Sequence, residues 1–154
     1  MTKIDKIFRA GFVRRWHQNP DLCHTADPVD GHSGRVARLI LALHPNPSMG
    51  LLRAALVHDD GEHATGDMSG PAKLANPQMS EMLDLMERAA RIDLWGSDFE
   101  LWQEEHVWLK FADRLDAYMW AKHHAPHITD SDDWPECRRW LFATAEDLGV
   151  SVTL

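Results

Sequence analysis

Leu51-Leu52-Arg53-Ala54-Ala55-Leu56-Val57-His58-Asp59-Asp60-Gly61-Glu62 is the stretch on which the fold turns. Leu51, Leu52, Ala55 and Leu56 recur at helical spacing and leave the run apolar on several sides, so the helix they predict is central. Ser48 stands three residues before Leu51, a suitable N-cap whose hydroxyl can accept from an amide of the first turn. The apolar run then gives way to an imidazole and, within four more residues, three carboxylates. Ionisable groups at the edge of a core are costly unless paired or bound to a cation, so this junction asks for a chemical explanation.

Working outward, the same periodicity recurs on both sides. Val36, Leu39, Ile40 and Leu43 line one face of a preceding helix, closed by His44-Pro45-Asn46-Pro47. Ahead of it runs a loop marked by Asn19-Pro20, Asp27-Pro28 and Gly31, and Ile4, Ile7, Phe8, Phe12 and Trp16 predict an amphipathic first helix. After the junction comes a loop with Gly66, Gly70 and Pro71; Asn76-Pro77 then opens a fourth helix whose buried side is Met79, Met82, Leu83, Leu85 and Met86. Ser97 with Glu100 fits a capping box for a long fifth helix to about Lys122, and Ser131 fits a cap for a last helix bearing Trp134, Trp140, Leu141 and Leu148. No segment alternates at the strand period, and no repeat, linker or low-complexity tract appears. The expectation is an all-α chain: a single compact helical domain of about six or more helices over residues 1–154.

Composition narrows the function classes. A 44% apolar and 26% charged chain is that of a globular protein and excludes disorder. The net charge of −8 opposes a polymeric nucleic acid as partner, though a nucleotide's few charges can be met by local cations. No apolar run reaches the length of a membrane span, and Met1-Thr2-Lys3-Ile4-Asp5-Lys6 has no signal-peptide character, so the expected location is cytoplasmic, without a membrane partner. Cys23 and Cys137, far apart, read as unpaired thiols.

Four side chains interrupt apolar patterns on helices expected to be buried: His32, His58, Asp59 and Asp113. Imidazole with carboxylate suits a divalent transition ion such as zinc, cobalt or manganese, and such a set leaves positions for water and substrate. Neighbours on a helix point about a hundred degrees apart, so His58 and Asp59 can share one ion only near a helix end. Spacing by itself leaves a metal site and a set of ordinary core residues equally open.

In order along the chain stand Arg15-Trp16, His32-Ser33, His58-Asp59 with Glu62, Thr65-Gly66-Asp67, Pro71 with Lys73, and Lys110-Phe111-Ala112-Asp113-Arg114-Leu115. Together these blocks resemble the HD superfamily of phosphohydrolases, and within it the branch holding bacterial 5'-deoxynucleotidases and the phage dATP triphosphohydrolases called DatZ. The resemblance implies that His32, His58, Asp59 and Asp113 are metal ligands, that Glu62 orients or activates the attacking water, and that Asp67 assists as a second acid–base carboxylate. Arg15, Lys73 and Lys110, each inside a matched block, are its candidate cations for the phosphate, and Trp16 is a candidate flat wall for a base. It also implies a second ion such as magnesium beside the phosphates, a homo-oligomer, and, for a phage-borne gene, the host cytoplasm. Gly31 departs from the pattern, which often carries an acidic residue directly before its first His-Ser. The function expected is a dATP triphosphohydrolase, in which metal-activated water attacks the α-phosphorus and releases deoxyadenosine and triphosphate. One alternative is a 5'-deoxynucleotidase acting on deoxynucleoside monophosphates, and another is a non-catalytic nucleotide-binding regulatory module.

Overall fold

Ser48 does begin a helix. In the computed structural model, which describes residues 1–154, its hydroxyl accepts the Leu51 N–H at 3.0 Å and opens α3, Met49–Val57. The same hydroxyl donates to Glu105, whose other carboxylate oxygen accepts the Trp102 N–H at 3.0 Å at the start of α6, Gln103–His124. A Ser48→Ala protein therefore loses about 1 kcal/mol of stability, read as a lowered midpoint in urea at unchanged slope.

The chain is all-α. Seven α-helices run in order: α1 (Lys3–Gly11), α2 (Val29–Leu43), α3, α4 (Gly70–Ala75), α5 (Pro77–Trp95), α6 and α7 (Trp134–Asp147). Contacts group the residues into two compact units, one of Met1–Ser33 with Leu56–Glu100 and the other of Gly34–Ala55 with Leu101–Leu154. The boundaries between them fall within α2 and α3, and at the loop before α6.

In the first unit, α5 and α1 both pack on a single 3-10 turn, Asp60–His63, and α4 packs on α5. Asn76 and Pro77 open α5 as the sequence predicts, and Gly96 closes it at φ 83°, a left-handed C-cap that glycine adopts without strain. The side of α5 that is buried differs from expectation. Met82 and Leu85 are 62% and 60% exposed, whereas Glu87 and Leu94 are buried. The inward face runs through Glu87, Arg91, Leu94 and Trp95, a strip of mixed character that packs on the polar turn at 60–63, while Met79 and Leu83 are half-buried. The first helix also stops sooner than its apolar spacing suggests. It ends at Gly11, Phe8 and Phe12 are exposed, and Trp16 lies in the following loop.

The second unit is held by α6 and α7 with the 3-10 turn Pro126–Asp130, around Trp108, Phe111, Leu115, Tyr118, Ile128 and Leu141. Arg35 pairs with Asp116 at 2.6 Å and lies over the Trp120 ring at 4.3 Å. Two sequence-predicted caps are replaced here. The long helix starts at Gln103, its cap served by Glu105 rather than by Ser97 and Glu100. Ser131 donates to the Ile128 carbonyl, closing the preceding turn, and Trp134 begins α7. Serine competes for nearby backbone in turns as well as at caps, so its presence alone does not fix a boundary. No helix is long and apolar enough to cross a membrane.

Candidate metal centre

The helix α3 ends at Val57, one residue before the His-Asp pair. Leaving the helix is what lets two adjacent side chains converge. Asp59 has φ −95° and ψ 0°, the sparsely populated bridge region in which active-site residues recur. From there its carboxylate reaches two imidazoles: Oδ2 is 3.3 Å from His32 Nε2, and Oδ1 is 3.5 Å from His58 Nε2. The two rings have centroids 5.3 Å apart. His32 comes from the first turns of α2 and is fully buried. One ligand atom from each of the three residues lies within 4.8 Å of the others.

The backbone of this junction is gripped from α5. Arg91 donates to the His58 carbonyl at 3.0 Å while Asp98 accepts its Nε and Nη2 at 2.9 and 3.3 Å. One turn on, the Trp95 indole donates to Asp60 Oδ2 at 2.9 Å. Burial pushes the Asp60 carboxyl up, and the Trp95 bond opposes that rise. Gly61 sits under α5 so closely that a Cβ there would lie 2.3 Å from the Glu87 carbonyl oxygen. No side chain other than hydrogen fits.

Beside the histidines lies a group of carboxylates. Glu62, 5% exposed, follows in the 3-10 turn, and its Oε2 is buried with no hydrogen-bond partner. Burial, then Asp59, Asp67 and Glu87, push its carboxyl up to about 10, with Lys73 opposing. Glu87 accepts from the Thr65 hydroxyl at 3.1 Å and stands 3.7 Å from Lys73 Nζ. Asp67 is also raised by burial, Arg15 acting against it, and its Oδ2 accepts the Trp16 N–H at 3.2 Å. Carboxyls crowded this closely beside two imidazoles are suited to a bound cation, which inverts the local field. The residues fit a divalent ion, both by donor set and by the orphaned Glu62 oxygen.

Of the sequence-predicted residues, the first unit brings His32, His58 and Asp59 together, with Glu62 and Asp67 in the electrostatic surroundings of Asp59. Arg15 pairs with Asp27 at 3.1 Å and lies over the Trp16 ring at 5.0 Å. Asp113 and Lys110 stand on α6 in the second unit. Asp113 is half-buried there; burial raises the Cys137 thiol, Arg114 counters the rise, and the Asp113 charge adds to it. Lys110 is exposed, its Nζ 6.0 Å from the centre of the Trp140 ring.

A family profile described as 5'-deoxynucleotidase YfbR-like matches residues 4–126, four-fifths of the chain. The chain belongs to the YfbR-like 5'-deoxynucleotidase family. It is a metal-dependent phosphohydrolase, which sets aside the non-catalytic module considered from the sequence. The YfbR-like match includes every candidate site residue from Arg15 to Asp113, and α7 lies beyond it. No curated protein matches the chain. The DatZ-like branch suggested by sequence receives no specific support from the family match, whose description names the deoxynucleotidases.

Sequence reasoning missed four residues of this site. Asp27 stands out only as part of a loop mark, and Arg91, Trp95 and Glu87 belong to none of the motifs singled out in the sequence. Each acts through a partner distant in sequence, and only Glu87 left a trace: an acid inside the apolar pattern of α5.

Proposed function

We propose that this YfbR-like protein is a 5'-deoxynucleotidase, hydrolysing deoxynucleoside monophosphates to nucleoside and orthophosphate. The observation that carries the reading is the convergence of His32, His58 and Asp59 beside the buried Glu62, inside the stretch that matches the family. A divalent ion, zinc, cobalt or manganese by donor type, supplies Lewis acidity toward a phosphoryl oxygen and lowers the pKa of a water to about 7. His32, His58 and Asp59 would hold it, and by resemblance Asp113 would be the fourth ligand.

In this reading Glu62 Oε2 takes the proton of the attacking water, since it is buried and has no hydrogen-bond partner of its own. Water adds to phosphorus, the bond from phosphorus to the deoxyribose O5' breaks, and a proton returns to O5', with Asp67 as the second proton-handling carboxyl. Arg15 orients the phosphate and Trp16 presents its ring to the nucleoside. Lys73 adds positive charge from α4, paired with Glu87 at 3.7 Å.

The triphosphate reading, with dATP as substrate, requires several cations along a phosphate chain and room for a second ion such as magnesium. Arg15 and Lys73 are each already paired with a carboxylate, which favours the shorter substrate. Chromatography of products decides between them. The expected result is orthophosphate from deoxynucleoside monophosphates, only when zinc, cobalt, manganese or magnesium is supplied. Inorganic triphosphate released from dATP, with monophosphates untouched, would overturn the monophosphate reading.

A further inference from the structure

Asp27 reads in the sequence as nothing more than the start of an Asp-Pro turn, yet its side chain is fully buried. A carboxylate is placed there at a cost unless it is well paired. One oxygen, Oδ2, accepts two donors from adjacent residues: the Trp16 indole Nε1–H at 2.8 Å and Arg15 Nη1–H at 3.1 Å. The guanidinium of Arg15 then lies over the Trp16 ring, 5.0 Å from its centre.

Trp16 holds an unusual backbone. Its φ is 67°, the left-handed region, where a bulky side chain is a genuine outlier. Such a conformation persists only when its surroundings over-determine it. Here the indole is held by Asp27, the amide donates to Asp67 Oδ2 at 3.2 Å, and the carbonyl accepts the Asn19 N–H at 2.9 Å. The segment therefore joins the ring that faces the nucleoside to a carboxyl proposed to handle protons.

The Asp27 side chain is not what ties the two segments together. The main chain already does so: the Arg15 N–H donates to the Asp27 carbonyl at 3.0 Å and the Val29 N–H to the Val13 carbonyl at 2.9 Å. What the carboxylate adds is orientation. A guanidinium carries its five donors in one plane, so fixing one of them fixes the direction of the rest. An indole held by its N–H presents a face, not an edge.

We infer that Asp27 is a positioning residue whose buried carboxylate sets the Arg15 guanidinium and the Trp16 ring as one preorganised element for the phosphate and nucleoside of the substrate. The inference rests on the roles given to Arg15 and Trp16 under the proposed function. Preorganisation of this kind acts on binding, because a side chain already held in place loses less freedom when the ligand arrives.

The test is a double-mutant cycle of Asp27→Asn with Arg15→Ala on a deoxynucleoside monophosphate, with bound metal measured in each protein. Asp27→Asn is expected to lower kcat/KM by about tenfold or more, mostly through KM, with metal content unchanged. In the Arg15→Ala background the same substitution is expected to change kcat/KM by no more than about twofold. Equal effects in both backgrounds would overturn the inference. So would an Asp27→Asn protein that fails to fold while Arg15→Ala and Trp16→Phe proteins fold, since the carboxylate would then serve the fold itself. A second readout needs no substrate: the indole N–H resonance assigned by its loss in Trp16→Phe is expected to move in Asp27→Asn, and an unmoved signal counts against the inference. A wild-type protein inert toward every nucleotide sinks the substrate reading instead, and the indole signal still shows whether Asp27 holds Trp16.

Discussion

A Glu62→Gln protein folds, keeps its divalent ion and loses turnover by about 10²–10⁴-fold, the range expected when a positioned proton acceptor is removed. The substitution conserves shape in a position that is 5% exposed, so packing on the 3-10 turn survives. The three converging ligand atoms belong to His32, His58 and Asp59, and the Glu62 backbone N–H still donates to the Asp59 carbonyl at 2.9 Å. What disappears is a carboxyl that burial and three neighbouring carboxylates push up to about 10 in the protein without metal. Such a group is suited to holding a proton within the site. The measurements are metal content by elemental analysis and turnover in the presence of saturating manganese. Full activity with metal retained would remove Glu62 from the reaction.

A Gly61→Ala protein is expected to lose about 3 kcal/mol of stability or more, at the upper end of what overpacking costs. The added Cβ would sit 2.3 Å from the Glu87 carbonyl oxygen and 2.7 Å from its carbonyl carbon and Cα. These are backbone atoms in the middle of α5, so no rotamer change relieves the contact. Either the turn at 60–63 or the helix must move, and both carry the site: Glu62 is in the turn, while Glu87, Arg91 and Trp95 are on the helix. Metal affinity and turnover fall together with the melting temperature. A Gly61→Ala protein that melts within a degree or two of wild type would show that α5 does not lie as close to the turn as described.

The two substitutions separate what a sequence can say about such a site from what it cannot. Glu62 was visible beforehand, because it stands in a block that resembles a known family. Gly61 stands in the opening stretch with no local feature to mark it, and its necessity comes from Glu87, 26 positions further along. The mixed inward face of α5 misled for a related reason. Apolar periodicity finds the face that meets a core; Met82 and Leu85 are exposed because this helix turns toward the ionisable turn at 60–63. Trp16, spaced as the next turn of the first helix, instead takes a left-handed backbone that local propensity would never select, held by Asp27 and Asp67.

By itself the sequence determined the helical class and the Ser48 and Asn76-Pro77 starts, and through its family resemblance it pointed to His32, His58 and Asp59, which come together. These depend on short-range properties: a 3.6-residue period, a hydroxyl three positions from an amide, a His-Asp pair at the end of an apolar run. Only the tertiary structure decided which face of α5 is buried, why position 61 admits no side chain, and how Asp27 and Arg91 fix groups far from them in the chain. Those outcomes are set by the close packing of segments separated by tens of residues, where a single atom's reach decides the result and no local pattern records it.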